Sequence, residues 1–289
     1  MAEQVVAISD LGWKSMRSFT QRRIRSAGIT LIVLAGVWLC VRLQERHLGG
    51  SSFSTGYLLL AAVVFLALYN IRKKLPFLPL GSSAIWLQCH LYVGMASIGV
   101  FALHVGPRWP DGVLESSLAF VFLLTATSGL AGLYLTRTIP AQLARVGTEI
   151  IYEQIPAFHR HVRHQARDAV MESVAASGTT TLADFFTGRL YAFFHRPRGM
   201  PYLLWPTTTL RRALMREMHD VRRYLSDQEQ AACEKLFALV RRKDDLDFHE
   251  ARQRLLKLWL FAHIGLTYAL VLLALLHGLA AHAFGGGAA

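Results

Sequence analysis

Two apolar stretches, residues 82–105 and 256–284, each carry a pair of histidines fourteen positions apart: His90 and His104 in the first, His263 and His277 in the second. At roughly 100° per residue, 14 residues of α-helix return to within about 40° of the starting direction and rise about 21 Å. Each helix therefore presents two imidazoles on one face, one toward each end of a bilayer-length span. An imidazole in hydrocarbon is costly unless it is paired or coordinated. Four of them at matched depths predict that the two stretches are neighbours, with His90 beside His263 and His104 beside His277.

The chain has 289 residues, 53% of them hydrophobic, and a mean hydropathy of +0.32, too apolar for an ordinary soluble protein and long enough for several spans. The expected fold is an all-α integral membrane protein with five transmembrane helices forming a bundle. Spans are predicted at residues 27–41 and 57–71, in the first histidine stretch, at 114–135, and in the second histidine stretch. The first has a basic flank (Arg22, Arg23, Arg25) like that of a signal peptide but no small-residue cleavage pattern before Arg42, so it reads as a retained span. The domain division is then a cytoplasmic N-terminal segment 1–26, spans one to four in 27–136, a helical cytoplasmic region 137–255 inserted between spans four and five, span five in 256–284, and a tail 285–289.

The net charge of +12 reflects where arginine and lysine stand relative to a bilayer. Membrane lipid is the expected partner, and nucleic acid is not. The N-terminus, the turn at Arg72, Lys73 and Lys74, and the long polar region are basic, while the alternate loops are nearly balanced. The positive-inside rule then puts the N-terminus and the long region in the cytoplasm and the C-terminus outside, in what reads as a prokaryotic plasma membrane. In that topology the two histidine helices run parallel.

The long region shows apolar residues at helical spacing in 151–174, 182–194, 210–225 and 231–240, with Ser226 and Glu229 as a capping box for the last. Pro140 is expected to close span four, and Asp244, Asp245 and Asp247 to favour a new helix start. No dinucleotide fingerprint or Walker sequence is present. Cys40, Cys89 and Cys233 form no C-x-x-C or C-x-x-C-H, which leaves covalent haem attachment and iron–sulfur clusters unsupported. His159, His161 and His164 are close in sequence, but positions 159 and 161 point about 160° apart on a helix, so a solvated basic face is favoured over a metal site. His249 lies 14 residues before His263, where a third haem would need a partner from the cytoplasmic region.

Imidazoles at one depth on two parallel helices suit six-coordinate iron, and haem supplies it. The metal ligands expected are His90, His104, His263 and His277, holding two haem b groups; the alternative is four unrelated polar contacts in a helix bundle. Gly94 and Ser97 are expected to give the ring room, and Arg108 to hold a propionate. With Cys89-His90 to His104 in one span and His263 to His277 two spans later, the chain resembles the di-haem b-type cytochromes, the family that includes membrane subunits of formate dehydrogenases and hydrogenases. That resemblance implies haems that carry electrons across the bilayer and often meet a quinone. The chain departs from the family in its long insertion and in lacking paired glycines at the same interval in spans one and four.

The expected role is transmembrane electron transfer as the membrane subunit of a larger redox complex, with the other subunits as partners, rather than a self-contained enzyme. Quinone is a candidate ligand near Trp86, Tyr92, Trp109 or Trp259, although such residues at span ends are first of all interfacial anchors. The alternative function is a membrane anchor and interaction module that recruits a soluble partner through its basic cytoplasmic helices.

Overall fold

The computed structural model describes residues 51–74, 82–147 and 150–285, together with Gly28 and Gly36, both helical. The predicted segment 1–26 and nearly all of span 27–41 therefore lie outside the described residues. The described chain is helical, with no strand: α1 (Ser51–Lys74), α2 (Ser83–Val105), α3 (Val113–Val146), α4 (Ile155–Ser177), α5 (Thr181–Phe185), α6 (Tyr191–His195), α7 (Met200–Leu204), α8 (Thr209–Arg222) and α9 (Asp227–Gly285). Four of these, α1, α2, α3 and α9, are long and apolar enough to cross a membrane. Large apolar side chains stand exposed along them, among them Leu68, Phe120, Leu272 and Leu279. Helices that are apolar on their outer faces as well as their inner ones suit hydrocarbon better than water.

The chain divides into two compact units, one of Met1–Ala131 with Phe261–Ala289 and one of Gly132–Leu260. In the first unit α1 and α2 form an antiparallel hairpin. Its contacts run from Arg72 Nη1 donating to Ser83 Oγ (2.8 Å), through Phe65 stacked on Trp86, to Thr55 beside His104. Ser82 caps α2, its hydroxyl accepting from Ile85 N, and Gly106 ends it at φ +71°, where a side chain would be strained. In the following loop Trp109 Nε1 donates to Ser116 Oγ (3.0 Å), which donates to Pro110 O (2.6 Å). Val63, Phe122 and Leu270 form the buried centre where α1, α3 and α9 meet, with Phe101 of α2 stacked on Phe122.

The second unit has its own core, built from α4, α5, α6, α8 and the first part of α9, with Leu190, Met218, Leu236, Val240 and Leu246 fully enclosed. The capping box at Ser226 is present. Glu229 accepts from Ser226 N (3.1 Å) and Oγ (3.2 Å), while Glu229 N donates to Ser226 Oγ. The same carboxylate also accepts from Leu182 N in the first turn of α5 (3.2 Å).

Three local expectations are corrected. Pro140 lies inside α3, which continues to Val146. In the turns before it the Thr136 and Thr138 hydroxyls donate to the carbonyls of Gly132 and Tyr134, and Ile139 is buried. The predicted helix 182–194 is broken into α5, a π turn over Phe186–Leu190, and α6. Asp244, Asp245 and Asp247 start no helix: they lie in the interior of the 59-residue α9, where paired cations replace the macrodipole as their partner.

Candidate cofactor site

All four histidines singled out by their spacing fall in the first unit. The rings of His90 on α2 and His263 on α9 face each other with centroids 6.5 Å apart and planes 74° apart. Two metal–nitrogen bonds of about 2.0 Å, plus about 1.1 Å from each nitrogen to its ring centre, would put the centroids about 6.2 Å apart. The observed separation is close to that value, with the two rings meeting edge-on. Fourteen residues further along both helices, His104 and His277 line one cavity of about 550 Å³, a size usual for a cofactor pocket. The two histidine helices consequently run in the same direction.

The other helices of the unit hold these rings. Thr55 Oγ1 of α1 lies 2.9 Å from His104 Nδ1, and a Cβ built on the next residue, Gly56, would come within 3.2 Å of His104 Cε1. Ser128 Oγ of α3 lies 3.2 Å from His263 Nδ1, and a Cβ on the next residue, Gly129, would come within 3.6 Å of His263 Cε1. A hydroxyl followed by glycine thus recurs on two helices. In each case the hydroxyl engages Nδ1, so that a ligand held there would meet Nε2; at Gly56 the missing Cβ also lets the ring lie close to the neighbouring helix, whereas a Cβ at Gly129 would make an ordinary contact. His277 Nδ1 lies 3.6 Å from Glu115 Oε1, and the ring of His90 packs against Tyr69 with centroids 5.0 Å apart.

Arg108 lines the cavity with His104 and His277, so a cation is available there for an acidic group. Gly94 and Ser97 are placed differently. Gly94 faces Leu66 of α1, the buried hydroxyl of Ser97 donates to Gly94 O of its own helix (2.8 Å), and neither lines the cavity. Of the aromatic residues considered for a quinone, Trp109 lines the cavity, whereas Trp86 stacks on Phe65 and Trp259 lies against Gly132 in the second unit. His282, which shows no pattern in the sequence, also lines the cavity and hydrogen-bonds the Tyr57 hydroxyl. Thr55, Gly56, Ser128 and Glu115 escape sequence reasoning. Ser128-Gly129 lies inside a predicted span, whereas Thr55-Gly56 falls just before the span predicted at 57–71.

No known protein family, curated protein or solved structure matches the chain. Its chemistry has to be read from its own residues.

The second unit gathers charge in its interior. Asp247 accepts from Lys243 Nζ with both oxygens (2.6 and 2.8 Å) and from Arg198 Nε (2.9 Å), and Arg198 Nη2 donates to Asp244 (2.8 Å). Burial pushes the Lys243 ammonium down and the Asp244 carboxyl up, and the opposite charges beside each pull them back. His159, Asp247 and Glu250 bring their ligand atoms within 4.8 Å of one another. With Lys243 and Arg198 already on Asp247, a divalent cation there would meet two positive charges, so the group is an ion-pair network that ties the Arg196–Arg198 segment to α9. His161 and His164 are exposed, apart from His159. His249 is buried, with no hydrogen-bond partner at Nδ1 among the described residues.

Proposed function

We propose that the chain is a multi-pass membrane protein that carries electrons through two b-type haems, one between His90 and His263 and the other between His104 and His277. The observation that carries this reading is the paired geometry: facing imidazoles at metal-bridging separation at one level, and two imidazoles on a cofactor-sized cavity one 14-residue interval away. Haem would supply one-electron redox chemistry, and all four axial ligands would come from this chain. Thr55 and Ser128 orient two of those ligands, and Arg108 offers a charge-assisted bond to a propionate. Separation of the two sites by about 21 Å along the helices would let electrons pass between the two ring systems.

In this reading the five spans form the bundle, with the N-terminus and the 137–255 region in the cytoplasm and the C-terminus outside. The chain serves as the membrane subunit of a larger redox complex, with quinone as a candidate partner. The test is the reduced-minus-oxidised spectrum of the purified chain, with haem content measured as the pyridine adduct. About two haems per chain are expected. His104→Ala and His277→Ala should remove the same haem, and His90→Ala and His263→Ala the other. Folded protein without haem would refute the function, and loss of one shared haem from the His90 and His104 variants would refute the pairing.

A further inference from the structure

Glu115, in the first turn of α3, is the acidic side chain lining the cavity that holds His104 and His277. A Cβ on Gly112 would lie 1.9 Å from Glu115 Oε2, so a side chain at position 112 would move the carboxylate from where it now stands. The preceding loop is tied down one residue away, where Ser116 Oγ accepts from Trp109 Nε1 and donates to Pro110 O. Glu115 Oε1 is 3.6 Å from His277 Nδ1, a buried atom with no hydrogen-bond partner among the described residues. The terminal torsion of a glutamate is soft, and a small rotation closes that gap to a hydrogen bond.

Contacts on the other rings include the hydroxyls of Thr55 and Ser128 on His104 and His263, and the Tyr69 ring against His90. A carboxylate accepting from the outer N–H of a ligating imidazole makes that imidazole a stronger donor and favours the ferric state of the iron. A hydroxyl does so far less. We propose that Glu115 is a positioning residue that accepts from His277 Nδ1–H and lowers the reduction potential of the haem held by His104 and His277 relative to its value with a neutral partner. This rests on the di-haem reading above. Glu115 is the one carboxylate on that cavity among the described residues, so this side chain alone supplies the charge there.

The experiment is a potentiometric titration of the full chain in lipid nanodiscs, following each haem by its α-band. Glu115→Gln keeps the shape and an acceptor oxygen but removes the charge. It is expected to weaken the preference for ferric over ferrous iron by about tenfold at one haem, a rise of about 59 mV for one electron, with the other midpoint unmoved and two haems retained. Glu115→Asp keeps the charge and is expected to retain the low midpoint. Two bound haems with both midpoints unchanged in Glu115→Gln, or both raised equally, would overturn the proposal. A chain that binds no haem would overturn the di-haem reading itself, which separates the two failures.

Discussion

Replacing Thr55 with valine tests whether a hydroxyl on a neighbouring helix holds a ligand ring. Thr55 is 3% exposed, and its Oγ1 lies 2.9 Å from His104 Nδ1. Valine has nearly the same shape, so α1 keeps its packing against α2 and only the hydrogen bond is lost. Removing the hydroxyl from an imidazole N–H in an apolar setting costs about 1–3 kcal/mol. A value near the middle, about 2 kcal/mol, corresponds to about 30-fold, inside the roughly 10–100-fold range for groups that orient a metal ligand. On the di-haem proposal, the assay is the rate at which the full chain in detergent loses haem to an excess of apomyoglobin, read in the Soret band. Two phases are expected. Thr55→Val should accelerate one of them by about 30-fold and leave the other unchanged, and Thr55→Ser, which keeps the hydroxyl, should restore it. Unaltered loss kinetics in Thr55→Val would show that the hydroxyl does not hold the ring. Equal acceleration of both phases would show that the two sites are not separately supported.

Glu229→Ala removes the acceptor for Ser226 N and Oγ and for Leu182 N from a position 1% exposed, and it is expected to destabilise the second unit by about 3 kcal/mol. Chemical denaturation followed by circular dichroism checks this, and an unchanged midpoint would refute it. Burial, with a smaller push from Arg242, holds the His249 imidazole below its ordinary value of 6.5. The folded state therefore keeps His249 neutral while the unfolded chain protonates it, so its contribution is full above about pH 6.5 and is lost as the pH falls toward the lower folded value. Stability measured from pH 8 to pH 5.5 should accordingly fall less steeply in His249→Phe than in the unsubstituted chain, and parallel slopes would refute the assignment.

What could be read in the sequence was whatever repeats or caps locally. Apolar length marked four helices that are long enough to cross a membrane, because a span is a property of consecutive residues. The 14-residue interval, close to a whole number of turns, set the expectation that His90 pairs with His263 and His104 with His277; the rings of His90 and His263 are in contact, and His104 and His277 line one cavity. Ser226 and Glu229 announced a helix start because a capping box closes within three residues. Contacts across helices were another matter. Thr55 and His104 are 49 positions apart and Ser128 and His263 are 135 apart, and their meeting depends on how α1 and α3 are rotated and slid against the histidine helices. Neither composition nor period carries that information, since many registers bury the same apolar faces equally well.

The same reason hid the Glu115 carboxylate beside His277, 162 positions away in sequence, since 277 − 115 = 162. It also reversed two local rules. Pro140 lies within α3, beside the buried Ile139, where the local rule ends the helix. Asp244 and Asp247 sit in mid-helix because Arg198 and Lys243 reach them, Arg198 from a segment more than forty residues earlier. Local sequence specifies what a helix is made of; which side chains it meets is decided only when the neighbouring helix arrives with its own register.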